Sequence, residues 1–140
     1  MTRKSLFSLM LFAMLALFII PVNGSAQAMK SSAPFKVGTF AINDIPTVGL
    51  VVHDDQLIVD LAAANRAMEL IPQYSKLSMP KNMLGLIEQY EYGLKYRIYE
   101  IINWLVKDKQ LSADTQPSYV HPVSSVDIMA PIQYPSKIMN

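Results

Sequence analysis

The sequence predicts an α+β fold, a small antiparallel β-meander packed with two or three helices. Residues 35–60 contain three short runs rich in β-branched residues, separated by turns of Asn, Asp and His. Residues 91–107 instead carry apolar side chains at every third or fourth position, the spacing of one helix face. Connections as short as those between the runs make neighbouring strands antiparallel, so the three runs are expected to form a meander.

Three strands are predicted at the start of the domain, at Phe35–Ala41, Thr47–Val52 and Gln56–Asp60. Asn and Asp in the first turn bond to their own backbone and tolerate left-handed dihedral angles. Pro46 has no backbone N–H to donate to a neighbouring strand, so the second strand is expected to begin only after it.

Apolar and polar residues alternate incompletely along these strands. Leu50 points to one face of the sheet, whereas Val51 and Ile58 point to the other. Both faces therefore need cover, and the second is expected to meet a partner. Gly38 and Gly49 leave gaps where another backbone could approach or where a strand could bend.

Three helices are expected to follow the meander. Asp60 stands where an N-cap belongs, before a helix that runs from Leu61 to Leu70. A short helix is predicted from Pro80 to about Tyr90, and a longer one from Glu91 to Lys107. Arg97 lies off the apolar stripe of the third helix and is expected to face away from the core. Residues 108–121 are polar and are predicted to be a surface connection.

Residues 1–28 have the layout of a secretory signal peptide. Arg3 and Lys4 precede the apolar run Leu6–Val22, and Ala26-Gln27-Ala28 has the small-x-small form of a cleavage site. Cleavage is predicted after Ala28, which gives a periplasmic or secreted protein whose residues 29–34 form a tether. The apolar run is also close to the length that spans a bilayer, so an uncleaved membrane anchor is the alternative.

Composition excludes some partners and some modes of stabilisation. Without Arg3 and Lys4, ten basic residues face eleven acidic ones, a net charge of −1. Nucleic acid is therefore not an expected partner, because its phosphates require a basic surface. The chain has no cysteine, so no disulfide stabilises the exported domain.

No catalytic, cofactor-binding or metal-binding residue is predicted in this chain. His53 with Asp54 and Asp55 could bind a divalent ion loosely, but these residue types are more typical of a solvated turn. His121 is far away in sequence, and no spacing supplies the three or four ligands that a metal site needs. The sequence also has no nucleophile elbow and no glycine-rich phosphate loop.

Aromatic residues are concentrated in the predicted second and third helices. The set comprises Tyr90, Tyr92, Tyr96, Tyr99 and Trp104. Such a set could be a surface on which a ligand stacks. Half-buried packing against a neighbouring layer is the more common role of aromatic residues on a helix.

Two segments of the chain resemble the fumarylacetoacetate hydrolase family. The first holds Thr47–Val52, read TVGLVV, and Leu57–Ala64, read LIVDLAAA. The second is Ile128–Ile138, read IMAPIQYPSKI, which is similar to the segment that hands over to the catalytic domain in that family. The two segments occur in the family's order with a helical stretch between them.

The resemblance implies an amino-terminal accessory domain at residues 35–122 and a handover segment at 123–140. Val123–Ala130 would be the first strand leading to a β-rich catalytic domain that lies beyond this sequence. Members of the family use Mg²⁺ or a similar divalent ion to hydrolyse or rearrange carbon–carbon bonds in acylpyruvates and related 2-oxo acids. Their catalytic and metal-binding residues follow the handover segment, so none is transferred here and this chain alone is predicted to be inactive.

The expected partner is that catalytic domain or a second copy of the chain in a homodimer. A secretion signal departs from the family's usual intracellular setting. The alternative function is a non-catalytic exported interaction module, which would use the meander and the helical stripe to bind a partner.

Overall fold

A computed structural model describes residues 29–108, 111 and 116–133. The predicted signal peptide and residues 134–140 of the predicted handover segment lie outside this range. Five strands form one antiparallel sheet in the order β4-β3-β2-β1-β5. The strands are β1 Lys36–Ile42, β2 Ile45–Val52, β3 Leu57–Asp60, β4 Val120–Pro122 and β5 Asp127–Met129. The α-helices are α1 Leu61–Met68, α2 Met83–Gln89 and α3 Lys95–Lys107. The predicted α+β class is thus confirmed.

The first turn is tighter than predicted. Asn43 and Asp44 have φ of 51° and 63°, and Ile42 lies opposite Ile45, so these four residues form a two-residue hairpin. The prediction that β2 begins after Pro46 was therefore wrong. Pro46 lies opposite Ala41, next to the Ile42 and Ile45 pair that closes the turn. At this position of an antiparallel pair the backbone N–H does not bond to the neighbouring strand, so a proline is tolerated.

Helix α1 begins directly at the end of β3. The Asp60 carboxylate accepts a hydrogen bond from the Ala63 N–H at 2.9 Å, which confirms the predicted N-cap. Helix α1 ends at Met68, two residues before the predicted end.

Helices α2 and α3 are joined by a π-helical turn at Tyr90–Leu94, where separate helices were predicted to meet. Gly93 has φ of +111°, a conformation that an L side chain rarely adopts, and this explains a glycine at the kink. The predicted apolar stripe of α3 is fully buried, with Ile98, Ile101 and Leu105 at 0 % exposure. These side chains cover one face of the sheet, which we call the inner face.

The opposite, outer face has a second, smaller core. Phe40, Ile42 and Ile58 are buried there beneath Val123 and Val126. Ile58 is therefore covered by its own chain, and the interpretation that its face awaits a partner was wrong for this position. The covering residues are far away in sequence, so the strand pattern could not reveal them.

Residues 123–126 connect the two edge strands across this outer face. In a flat five-stranded sheet the edges would lie about 19 Å apart, whereas five extended residue steps cover about 17 Å. The sheet must therefore curl toward the connection. The predicted strand at Val123–Ala130 is correspondingly shorter, because Val123–Ser125 form a 3₁₀ turn before β5.

The polar segment before His121 was predicted to be a surface connection. This was wrong at its end, where Val120–Pro122 pair with β3 as strand β4. A three-residue strand that ends in His-Pro is too short to show an alternating pattern. Among the described residues, no helix is both long and apolar enough to cross a membrane.

Candidate functional site

The turn that holds His53, Asp54 and Asp55 is shaped by its backbone. All three residues have positive φ, and Gln56 N–H donates to the His53 carbonyl at 3.1 Å. The Asp55 carboxylate pairs with the Lys36 ammonium at 2.5 Å, so it is already bound to a cation of the protein. Within residues 29–108, 111 and 116–133, no group of three or more His, Cys, Asp or Glu side chains could hold a metal ion.

The aromatic residues of the π-turn and α3 divide into two groups. Trp104 is 6 % exposed and packs against Tyr119, with the ring centres 6.1 Å apart. Tyr99 contacts Phe35 edge to face at 6.0 Å, and the burial of Tyr90 together with its hydrogen bond to Tyr99 raises the Tyr90 pKa. These residues pack within the fold.

Tyr92 and Tyr96 form the second group, because their side chains reach solvent with 91 % and 44 % exposure. Tyr96 lines an open cleft of about 640 Å³ with Lys95, Tyr99 and residues 29–35. The Lys95 ammonium lies 5.5 Å from the centre of the Tyr96 ring. Its hydrogen bond with Glu91 raises the Lys95 pKa.

The segment predicted as a tether forms one wall of this cleft. The Asn103 side chain accepts from the Ser32 N–H at 2.6 Å and donates to the Lys30 carbonyl at 3.0 Å. Ala33 and Phe35 pack against the inner core. One side chain of α3 therefore binds a backbone N–H and a backbone carbonyl of this segment.

A second cleft, of about 270 Å³, is mostly apolar. It lies between the start of β2, the start of α2 and residues 131–133, and Met83, Leu84 and Ile132 line it. Thr39, 6 % exposed, closes its base by donating to the Pro131 carbonyl at 2.9 Å. The cleft thus adjoins the end of the described chain.

The most connected polar group is a partly buried cluster that the sequence did not reveal. Glu69 Oε1, at the end of α1, accepts from Leu77 N–H at 2.6 Å and from Asn65 Nδ2 at 2.9 Å. Arg97 lies 3.4 Å from the same oxygen and also bonds to Glu100 and to the Ser75 carbonyl. The Leu77 N–H, together with Asn65 and Arg97, holds the Glu69 pKa below its ordinary value.

Arg97 was expected to face away from the core, and this was wrong. It is 4 % exposed and bridges α3 to the connection between α1 and α2. The signal in the sequence is that Arg97 lies four residues before Ile101, which places it at the border of the apolar stripe. Glu69 lies 28 residues earlier, so no local pattern links the pair.

A scan of the chain against protein-family models finds no match, and a comparison with curated proteins finds no significant relative.

Proposed function

We propose that this chain is the amino-terminal accessory domain of an exported protein of the fumarylacetoacetate hydrolase family. The observation that carries the proposal is that the two family-like segments are joined in one sheet. The first contributes β2, β3 and the start of α1, and the second contributes β5.

The pairing of β5 supports this domain organisation. Phe40 of β1 lies opposite Ile128, and Thr39 lies opposite Met129. The hydrogen bond from Thr39 to the Pro131 carbonyl extends this contact past the end of the strand. The described start of the segment that resembles the family's handover thus lies at the edge of the sheet.

The proposed chemistry belongs to the domain that follows the handover segment. There, Mg²⁺ or a similar ion would stabilise the negative charge that develops as a carbon–carbon bond of an acylpyruvate or related 2-oxo acid breaks. The described residues offer no carboxylate cluster for such an ion, so no catalytic step is assigned to them. Their role is to fold as a unit and to position the catalytic domain or a homodimer partner.

The proposal is tested by comparing two proteins. The product of the complete coding frame should cleave an acylpyruvate when Mg²⁺ is added and should lose this activity with a chelator. Residues 29–140 alone should show no turnover under the same conditions. Turnover by residues 29–140, or an inactive complete product, would refute the proposal.

A second candidate function is a non-catalytic exported interaction module. It is favoured by the exposure of Ile45 and Ile128, at 64 % and 76 %. Ile45 lies opposite Ile42 and Ile128 lies opposite Phe40, so the two exposed side chains flank the buried residues of the outer face. Exposed apolar groups on one face of a sheet are a feature of association surfaces.

Size-exclusion chromatography with light scattering tests whether this surface mediates self-association. If the chain is an interaction module, residues 29–140 should self-associate, and Ile128→Lys should abolish this association. Leu70→Lys, a matched substitution of another exposed apolar residue, should leave the association unchanged. A stable monomer at high concentration would count against self-association.

Export is proposed from the predicted signal peptide. Mass spectrometry of the periplasmic or secreted fraction should find a mature protein that begins at Met29. Recovery of the intact chain from the membrane fraction would instead support the uncleaved anchor.

A further inference from the structure

The connection between α1 and α2 is held to α3 by the partly buried polar cluster of Asn65, Glu69, Arg97 and Glu100, which we call the Glu69 cluster. Glu69 binds the Leu77 N–H, and Arg97 binds the Ser75 carbonyl. Asn65 also donates to the Leu77 carbonyl at 2.8 Å. Both backbone polar groups of Leu77 and one of Ser75 therefore depend on side chains of the two helices.

The hydrogen bonds that the Glu69 carboxylate accepts depend on its negative charge. One carboxylate oxygen accepts from an amide side chain, a backbone N–H and a guanidinium. Hydrogen bonds to a charged acceptor are stronger than those to a neutral one. A protonated Glu69 would therefore hold the same donors more weakly, and Arg97 would keep only Glu100 as a close counter-charge.

The charged groups around Glu69 come from every element packed against it. Arg97 and Glu100 belong to α3, Arg66 belongs to α1, and Lys76 belongs to the connection itself. Arg66 and Lys76 line a cleft with Glu69 but make no ion pair with it among the described residues. Arg97 is thus the one described cation within ion-pair distance of Glu69.

Residues 75–78 can leave the surface without exposing much of the core. All four residues are exposed, and Leu77, the one large apolar side chain among them, is already 43 % exposed. Few buried apolar contacts and a small number of hydrogen bonds are the features of a segment that opens locally.

We propose that the Glu69 cluster is an acid-sensitive latch whose protonation releases residues 75–78 from α1 and α3 while the sheet stays folded. The inference is independent of the proposed function. Because contacts with the charged form depress the pKa of Glu69, the latch is closed at neutral pH and begins to weaken only below the ordinary glutamate pKa, about 4.3. It opens as the pH falls through the depressed pKa of the folded state.

Amide hydrogen exchange of the full exported chain, followed by NMR as a function of pH, tests this proposal. Protection factors are compared for Leu77, which bonds to Glu69, and for Leu50, which lies at the centre of the sheet. The latch predicts that Leu77 loses protection below about pH 4 while Leu50 keeps it. Simultaneous loss at both amides would show global unfolding and would overturn the proposal.

A substitution separates the charge of Glu69 from its shape. Glu69→Gln should lower the protection of Leu77 at neutral pH by about tenfold or more, the factor for one lost charge-assisted hydrogen bond, and should remove the acid-dependent step. Glu91→Gln, which removes an exposed ion pair with Lys95, is the matched control and should change neither. Unchanged protection in Glu69→Gln would overturn the latch. If this variant does not fold, the comparison of Leu77 with Leu50 in the native chain decides alone.

Discussion

Gly49 lies where β2 crosses beneath the ring of Phe40. A Cβ at this position would lie 2.8 Å from Phe40 Cδ2 on one side and 2.9 Å from Ile58 Cγ2 on the other. Both neighbours are buried, with exposures of 4 % and 0 %. Neither can move aside without disturbing the outer core, so Gly49→Ala should destabilise the protein.

The magnitude follows from two opposing effects. Overpacking a filled core costs about 1–3 kcal/mol, and contacts on two sides favour the upper end of this range. Alanine is better than glycine in a strand by about 0.5–1 kcal/mol, which offsets part of the cost. We therefore expect the free energy of unfolding to fall by about 2 kcal/mol, or the melting temperature by roughly 10 °C.

Urea denaturation followed by circular dichroism measures this change. Gly85→Ala is the matched control, since its Cβ would lie 3.2 Å from Pro80 Cβ at the protein surface and alanine favours helix α2. In a Phe40→Leu background, the cost of Gly49→Ala should fall by at least half, because the ring that fills the gap is gone. Equal stability of Gly49→Ala and the native protein, with no dependence on Phe40, would refute the reasoning.

Three further substitutions test other parts of the fold by the same denaturation assay. Gly93→Ala should cost about 1–2 kcal/mol from backbone strain alone, because its Cβ would meet no atom within 4 Å; no loss would contradict the left-handed kink. Asp60→Ala should cost about 1 kcal/mol by removing the N-cap of α1, whereas Asp60→Asn should restore most of it. Arg97→Leu should destabilise the protein at pH 7, because Glu69 and Glu100 lose their shared counter-charge, and the loss should be smaller at pH values below the ordinary glutamate pKa; equal losses at both pH values would contradict the ionic role.

The sequence predicted the elements whose signals are local. The Asp60 N-cap predicted helix α1, and the periodic apolar stripe predicted helix α3. Each of these signals lies within a few helical turns of the sequence. The meander was predicted for the same reason, since its turns join neighbouring strands. The predicted start of β2 after Pro46 was wrong because a proline is tolerated in a strand wherever its missing N–H would not have bonded to a neighbouring strand. The register of the strand pairing decides which positions these are, and the turn sets that register.

The remaining features depend on contacts between distant residues. Phe40 fills the gap above Gly49, whereas the sequence suggested only that another backbone could approach there or that the strand could bend. Strand β4 forms because Val120 pairs with Val59 of β3, which lies more than fifty residues earlier in the sequence. The Glu69 cluster joins α1 to α3 in the same way, and single-sequence patterns do not encode such pairs.

Sequencing the coding DNA beyond the codon for Asn140 tests the proposed family membership. If this chain is the accessory domain of a fumarylacetoacetate hydrolase family protein, the frame continues into a catalytic domain with a Glu-x-Glu pair and a downstream Asp for the divalent ion. A stop codon directly after Asn140 would contradict the account.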